Sequence, residues 1–287
     1  KPLLSSTYLP LKPMRGLPSF LEFITQVKQL WDSPEKTDLM AQSEKIVEAF
    51  NQSTNAAGET LPTEQTLQKA IDVFFSVADP IHGGLRGEPK FPLGFQAEFL
   101  LLWSKLRSDS RALYYVKLTL DTMQRGGIYD HLGGGFSRYA VDEEWTIPHF
   151  EKMLYDNAII ARAYTQAWRC TDNPVYKATA TETLDYLLRD LMHAEGGFYS
   201  GEDADTEGKE GIFYTWTPEE VQAAIKDDDA DLFCAYYDVT QLGNFEGRNI
   251  LHIDLPLEEF AKAAQIPIKE VEEGLAKAKK LLFEKRN

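Results

Sequence analysis

The sequence predicts an all-α protein assembled from helical hairpins, and three observations carry that reading. Apolar residues recur at a spacing of 3.6 through most of the chain. The periodic stretches are punctuated by glycine-rich loops, HGGL at 82–85, RGGIYDHLGGGF at 125–136 and EGGFYS at 195–200. Strand-like composition is confined to GFSRYAVD (135–142) and IFYTWT (212–217), short enough to form only small hairpins on the loop side.

Taken in order, the first helix covers 19–31, with Phe20, Phe23, Ile24, Val27 and Leu30 on one stripe. A second covers 35–50 through Leu39, Ile46, Val47 and Phe50. The polar stretch NQSTNAAGETLP (51–62) reads as a linker. A helix at 63–78 follows, with Thr63 as its N-cap after Pro62. Further helices fit 93–107, 110–125, 149–171, 174–193, 218–226 and 228–237, and two more occupy the tail. The 149–171 helix is apolar on two faces and should pack between layers. Helix pairs leading repeatedly to loops at one end suggest a solenoid or a closed ring of hairpins.

The 287 residues carry 45 acidic and 30 basic side chains, a net charge of −15. That balance argues against a non-specific nucleic-acid binder, which needs a basic face, and against adhesion to anionic lipid. No apolar run approaches the roughly 20 residues that span a bilayer. Cys170 and Cys234 stand far apart without a CxxC, which argues against a zinc site or disulfide framework. Two buried, inert thiols in a reducing, cytoplasmic setting are expected, with no metal and no cofactor.

The densest chemistry lies at 125–157, RGGIYDHLGGGFSRYAVDEEWTIPHFEKMLYDN. His149, Lys152 and Asp156 have i, i+3, i+7 spacing and should share one polar helix face. Such a face must meet water, a cavity or hydrogen-bonded partners. Acid–base catalysis there competes with a structural network bracing the long loop. Carboxylates beside Tyr139, Trp145 and Tyr155 are the usual lining of a sugar cleft. GEDADTEGKEG (201–211) supplies Glu202, Asp203 and Asp205 directly after a turn, whereas Glu207 and Glu210 read as solvated. Its DxDxEG spacing resembles a calcium loop, but Tyr214 stands where the bidentate glutamate belongs, so an EF-hand is rejected. GGLRGEPKFP (83–92) lacks the context of a phosphate loop and reads as a helix entry turn. No GxSxG is present, and neither cysteine has an evident electropositive site.

RGGIYDHLGGGFSRYAVDEEWTIPHFEKMLYDNA, GGFYSGEDADTEGKEGIFYTWT and GNFEGRNILH together resemble the spermatogenesis-associated, thioredoxin-domain-containing family, whose bacterial members are called YyaL-like. The likeness is collinear over about 83–252, and GGLRGEPKFP follows the family's GGFGGAPKFP-type segment except at Arg86 and Glu88. The resemblance implies a thioredoxin-like domain followed by an (α/α)6 toroid similar to six-hairpin glycosidases and N-acylglucosamine 2-epimerases. Residues 1–50 would be the C-terminal remnant of the thioredoxin-like domain, 51–62 a linker and 63–287 an incomplete toroid. The chain, which lacks an initial Met, would then be an internal piece. The cysteine-bearing part and the later toroid hairpins would be its missing partners.

The function expected is sugar chemistry, a glycoside hydrolase or an epimerase-like isomerase. His149, Asp156, Glu202 and Asp203 would carry acid–base catalysis, and Asp130, Arg138, Tyr139, Trp145 and Glu151 would hold the sugar. The alternative is a non-catalytic interaction or regulatory module beside a redox domain, which predicts an exposed apolar patch.

Overall fold

The computed structural model describes residues 2–3, 8–14, 16–54, 61–225 and 228–287, and it divides into two units, 1–67 and 68–287. In the first unit, α1 (Phe20–Trp31) packs on α2 (Lys36–Thr54). Ser19 and Glu22 form a capping box: the Ser19 hydroxyl accepts from the Glu22 N–H at 3.3 Å, and the Glu22 carboxylate accepts from the Ser19 N–H at 2.9 Å. The second helix runs on through Asn51–Thr54, where a linker was expected, because no Gly or Pro interrupts it before Gly58. Residues 55–60 of that expected linker, and 1, 4–7 and 15 of the expected thioredoxin-like remnant, lie outside the described residues.

In the second unit, α3 (Glu64–Val77) leads from residue 68 into two helical hairpins. One is α4 (Gly94–Arg107) with α5 (Ser110–Arg125), the other α6 (Leu154–Thr171) with α7 (Pro174–Tyr186). Each hairpin turns by the same device. A left-handed residue closes the first helix, Ser108 or Asp172, and a side chain caps the second. Asp109 accepts from the Ala112 N–H at 3.1 Å, and Asn173 accepts from the Val175 N–H at 3.0 Å ahead of Pro174. α6 contacts α4, α5 and α7, and Ile160, Ala163, Tyr164 and Ala167 on it are fully buried. Gly94 sits against Ile159 so closely that a Cβ there would collide with its side chain, which brings α4 down onto α6. A five-residue π-helical turn, Leu187–Leu191, continues α7.

A second core joins α8 (Pro218–Ala224), α9 (Asp229–Tyr236), α10 (Leu257–Ala264) and α11 (Ile268–Arg286) around Val221, Phe233, Val271 and Leu282. The architecture is all-α, helical hairpins with short strand pieces at the loops. None of the described helices is long and apolar enough to cross a membrane.

Among the described residues, four two-stranded antiparallel ribbons tie the loops together. β1 (Tyr139–Ala140) pairs with β2 (Pro148–His149), and β3 (Lys152–Met153) with β4 (Gly201–Glu202). β5 (Asp205–Thr206) pairs with β6 (Lys209–Glu210), and β7 (Thr215–Trp216) with β8 (Asn249–Ile250). The stretch 212–217 therefore finds its partner more than thirty residues away and makes no hairpin of its own.

Two further expectations are corrected. The helix expected from 149 begins at Leu154, so His149 and Lys152 stand on strands and share no helix face with Asp156. Tertiary pairing overrides the local spacing: Tyr139 and Glu202 pair with His149 and Lys152, and the Arg138 N–H donates to the Glu151 carbonyl at 2.8 Å. The cysteines are not both buried: Cys170 is exposed and Cys234 half-buried, with burial pushing the Cys234 thiol up to about 11.

Candidate active site

Because 148–153 runs as a ribbon, its side chains alternate between two sides. Pro148, Phe150 and Lys152 are buried, while His149, Glu151 and Met153 are half-buried. This parity sorts the charges of the segment into two groups.

The buried group centres on Asp130. Its carboxylate accepts from the Lys152 ammonium at 2.8 Å and from both terminal nitrogens of Arg286 at 2.9 Å. The N–H groups of Leu132 and Gly133 add two more bonds at 3.0 Å. Burial alone would raise the Asp130 carboxyl, but the two cations reverse this and hold it well below the usual carboxylate range. Lys152 also donates to the Gly134 carbonyl at 2.9 Å and lies over the rings of Tyr186 and Tyr214. Burial, with the Arg286 charge, pushes its ammonium below the ordinary lysine value against the pull of Asp130. Glu202, paired with Lys152 across the ribbon, accepts from the Tyr186 hydroxyl at 2.8 Å and the Tyr214 hydroxyl at 3.4 Å. Gly135 makes this packing possible. Its φ is +81°, and a Cβ would strike the Tyr186 ring.

The half-buried group faces outward. His149 Nδ1 lies 2.8 Å from Glu210 and Nε2 lies 3.4 Å from Glu151. The imidazole stacks on Tyr139 at 5.0 Å, and Tyr139 in turn lies against the exposed Phe91. Arg138 donates to Glu151 at 2.7 Å. Asp156, in the first turn of α6, is half-buried, and its Oδ2 has no hydrogen-bond partner among the described residues. Burial pushes its carboxyl up to about 6, and the positive charge of Arg138 opposes the rise without cancelling it. A carboxyl poised there can both give and take a proton near neutral pH.

The structure thus brings together His149, Glu151, Arg138 and Tyr139 on one side of the ribbon. Asp130 and Glu202 lie in the buried group. Two other residues named from the sequence fall elsewhere. Trp145 is fully buried in left-handed backbone at φ +69°, donates its ring N–H to the His82 carbonyl at 2.8 Å and lies under the Lys90 ammonium. It leaves no face for a ligand. Asp203 is exposed and accepts from the Asp205 N–H at 3.1 Å, an Asx turn that shapes the loop. Two residues do not stand out in the sequence: Glu210, which reads as solvated, and Lys152 as a buried cation bonded to Asp130. The apolar–polar alternation of 148–151 was the available signal; it breaks at Lys152 and Met153, and the i, i+3, i+4 spacing of Phe150, Met153 and Leu154 favours a helix.

Among the described residues, Asp238, His252 and Asp254 bring three possible ligand atoms within 4.8 Å of one another, a set that suits a cation. Both aspartates are exposed, and groups of this kind are common without an ion.

No family model matches the chain. Spermatogenesis-associated protein 20 from human is 32% identical over 321 aligned positions, and the mouse protein of that name is 30% identical over 321. Each alignment covers the whole of this chain and 40% of the relative, so the chain spans about two-fifths of the length of these curated relatives. Among solved structures, cellobiose 2-epimerase from Spirochaeta thermophila matches half of this chain and 42% of its own, with 20% identity and a TM-score of 0.42. A GH76 α-mannanase from Bacteroides thetaiotaomicron matches 67% of this chain and 55% of its own, with 13% identity and a TM-score of 0.37. Similarity to spermatogenesis-associated protein 20 therefore extends along the full 287 residues, whereas the structural likenesses are partial.

Proposed function

We propose that the outward side of the 148–153 ribbon, with the start of α6, binds a carbohydrate and moves protons on it. The observation that carries this reading is Asp156: a half-buried carboxyl with an unpartnered oxygen and a protonation midpoint near 6, where acid–base chemistry is efficient. His149 is the second proton-transfer group, held between Glu210 and Glu151. The rings of Tyr139 and Phe91 offer apolar faces for a sugar, and Arg138 offers donors for its hydroxyls. Glu202, with its two tyrosine donors, stands opposite Lys152 across the ribbon.

The resemblance noted from the sequence supports sugar chemistry of the hydrolase or isomerase kind. On this reading the hairpins are part of an (α/α)6 toroid, completed by further hairpins and preceded by a thioredoxin-like domain in a longer cytoplasmic protein. The test is titration with a panel of mono- and disaccharides, beside Asp156→Asn and His149→Ala. Saturable binding that both substitutions weaken supports the assignment, and binding that neither changes overturns it. Solvent deuterium appearing at C2 of a bound sugar marks an isomerase; release of a new reducing end without it marks a hydrolase.

One observation favours a second reading, a partner-binding module. Phe95, Leu102 and Leu106 on α4 are exposed at spacings that place them on one side of the helix. That reading predicts that replacing Phe95 and Leu102 by Ser abolishes capture of a protein partner while sugar binding is unaffected.

A further inference from the structure

Away from the ribbon, α7, α11 and the loop at 253–258 enclose a groove. A cavity of about 480 Å³ continues into another of about 610 Å³, the two sharing Tyr236, Ile253 and Leu257 in their walls. Either is large enough for a small molecule.

At the inner end of the groove lies His131, only 3% exposed, its ring flanked by Tyr129 and Tyr237. Nε2 is 3.0 Å from the Gly126 carbonyl, which can only accept, so Nε2 carries the hydrogen. Nδ1 is then a bare lone pair, and none of the described groups donates to it. Burial and the Lys279 charge keep the ring neutral, pushing its pKa down to about 3. His131 lines the groove, so this acceptor is available to a donor within it.

The mouth of the groove is acidic. Asp121, Glu182, Glu258 and Glu272 face Arg125 and Lys279, four carboxyl groups against two cations. Between mouth and floor the walls are aromatic and aliphatic, with Tyr236, Leu257 and Leu275. Acceptors outnumber donors, and negative charge outweighs positive.

We propose that this groove is a binding site for a small organic amine. Its ammonium lies at the acidic mouth, its apolar body lies along Tyr236 and Leu257, and an N–H or O–H reaches His131 Nδ1. The site uses none of the residues assigned to sugar chemistry, and the inference stands independently of that reading.

The test uses the 287-residue protein labelled with 15N-histidine, titrated with phenethylamine, its neutral isostere 2-phenylethanol and the anion phenylacetate. The expected result is saturable binding of phenethylamine with movement of the His131 Nδ1 resonance. Phenylethanol should bind about fivefold more weakly, and Glu272→Gln should weaken the amine by about the same factor or less, the loss of one exposed ion pair. Equal binding of the three probes, or preference for phenylacetate, would overturn the proposal. So would an Nδ1 resonance that stays put at amine saturation. The lone pair would then face the void of about 20 Å³ behind it, which has room for one water.

Discussion

One six-residue ribbon, 148–153, feeds two environments that differ in what their charges do. On the buried side, Lys152 and Asp130 are locked with Arg286, every acceptor site of the carboxylate is filled, and both cations also lie against aromatic rings. On the half-buried side, His149, Glu151 and Arg138 make contacts of 2.7–3.4 Å that remain partly exposed to solvent, and Asp156 keeps an unfilled oxygen. The difference teaches where chemistry can reside. A carboxylate with five donors, held far below its ordinary pKa, has no proton to give at any physiological pH. A carboxyl that burial has raised and no donor has satisfied does. Composition alone scored both groups alike.

The sharpest way to break the comparison is Asp130→Ala. It strands Lys152 and Arg286 in the interior, and urea unfolding should show a loss of about 3–5 kcal/mol. Glu151→Ala, which opens an ion pair at the half-exposed surface, should cost at most about 1 kcal/mol in the same assay. Gly135→Ala is the next largest. Left-handed backbone and the collision with Tyr186 together predict a loss of about 2 kcal/mol and a disturbed Glu202, visible as a shifted Tyr186 ring resonance.

The two perturbed groups predict opposite pH slopes. The unfolded chain releases the Asp156 proton near 3.8 and the folded chain near 6. Between those values the native state holds a proton the unfolded state has lost, so stability falls as pH rises through that window. Asp156→Asn should flatten this part of the profile and gain about 1–2 kcal/mol at pH 7, a figure reduced for the half exposure of the group. His131 runs the other way. Its folded value of about 3 lies below the unfolded 6.5, so stability is lost as pH falls from 6.5 towards 3. His131→Gln should remove that loss, checked by thermal melts over the same range.

The helices were largely legible because their signals are local. The α4–α5 and α6–α7 turns follow from capping residues at Asp109 and Asn173, and the burial of α6 follows from its two apolar faces. The loops were not legible to the same degree. His149 and Lys152 pair with Tyr139 and Glu202, residues that spacing alone cannot bring alongside, and the local spacing of 149–156 favours a helix. Trp145 shows the same limit. An aromatic among charges reads as a ligand platform, yet here it fills a core against Gly84 and Lys90. Glu210 looked solvated until the β5–β6 hairpin carried it to His149.

Asp156 carries the proposed proton transfer, and 13C NMR of its side-chain carboxyl tests that role most directly. The predicted midpoint is close to 6, moving higher still in Arg138→Gln, because removing that charge leaves burial unopposed. A midpoint at the ordinary value near 3.8, indifferent to Arg138, would contradict the claim that this side of the ribbon is built for proton transfer.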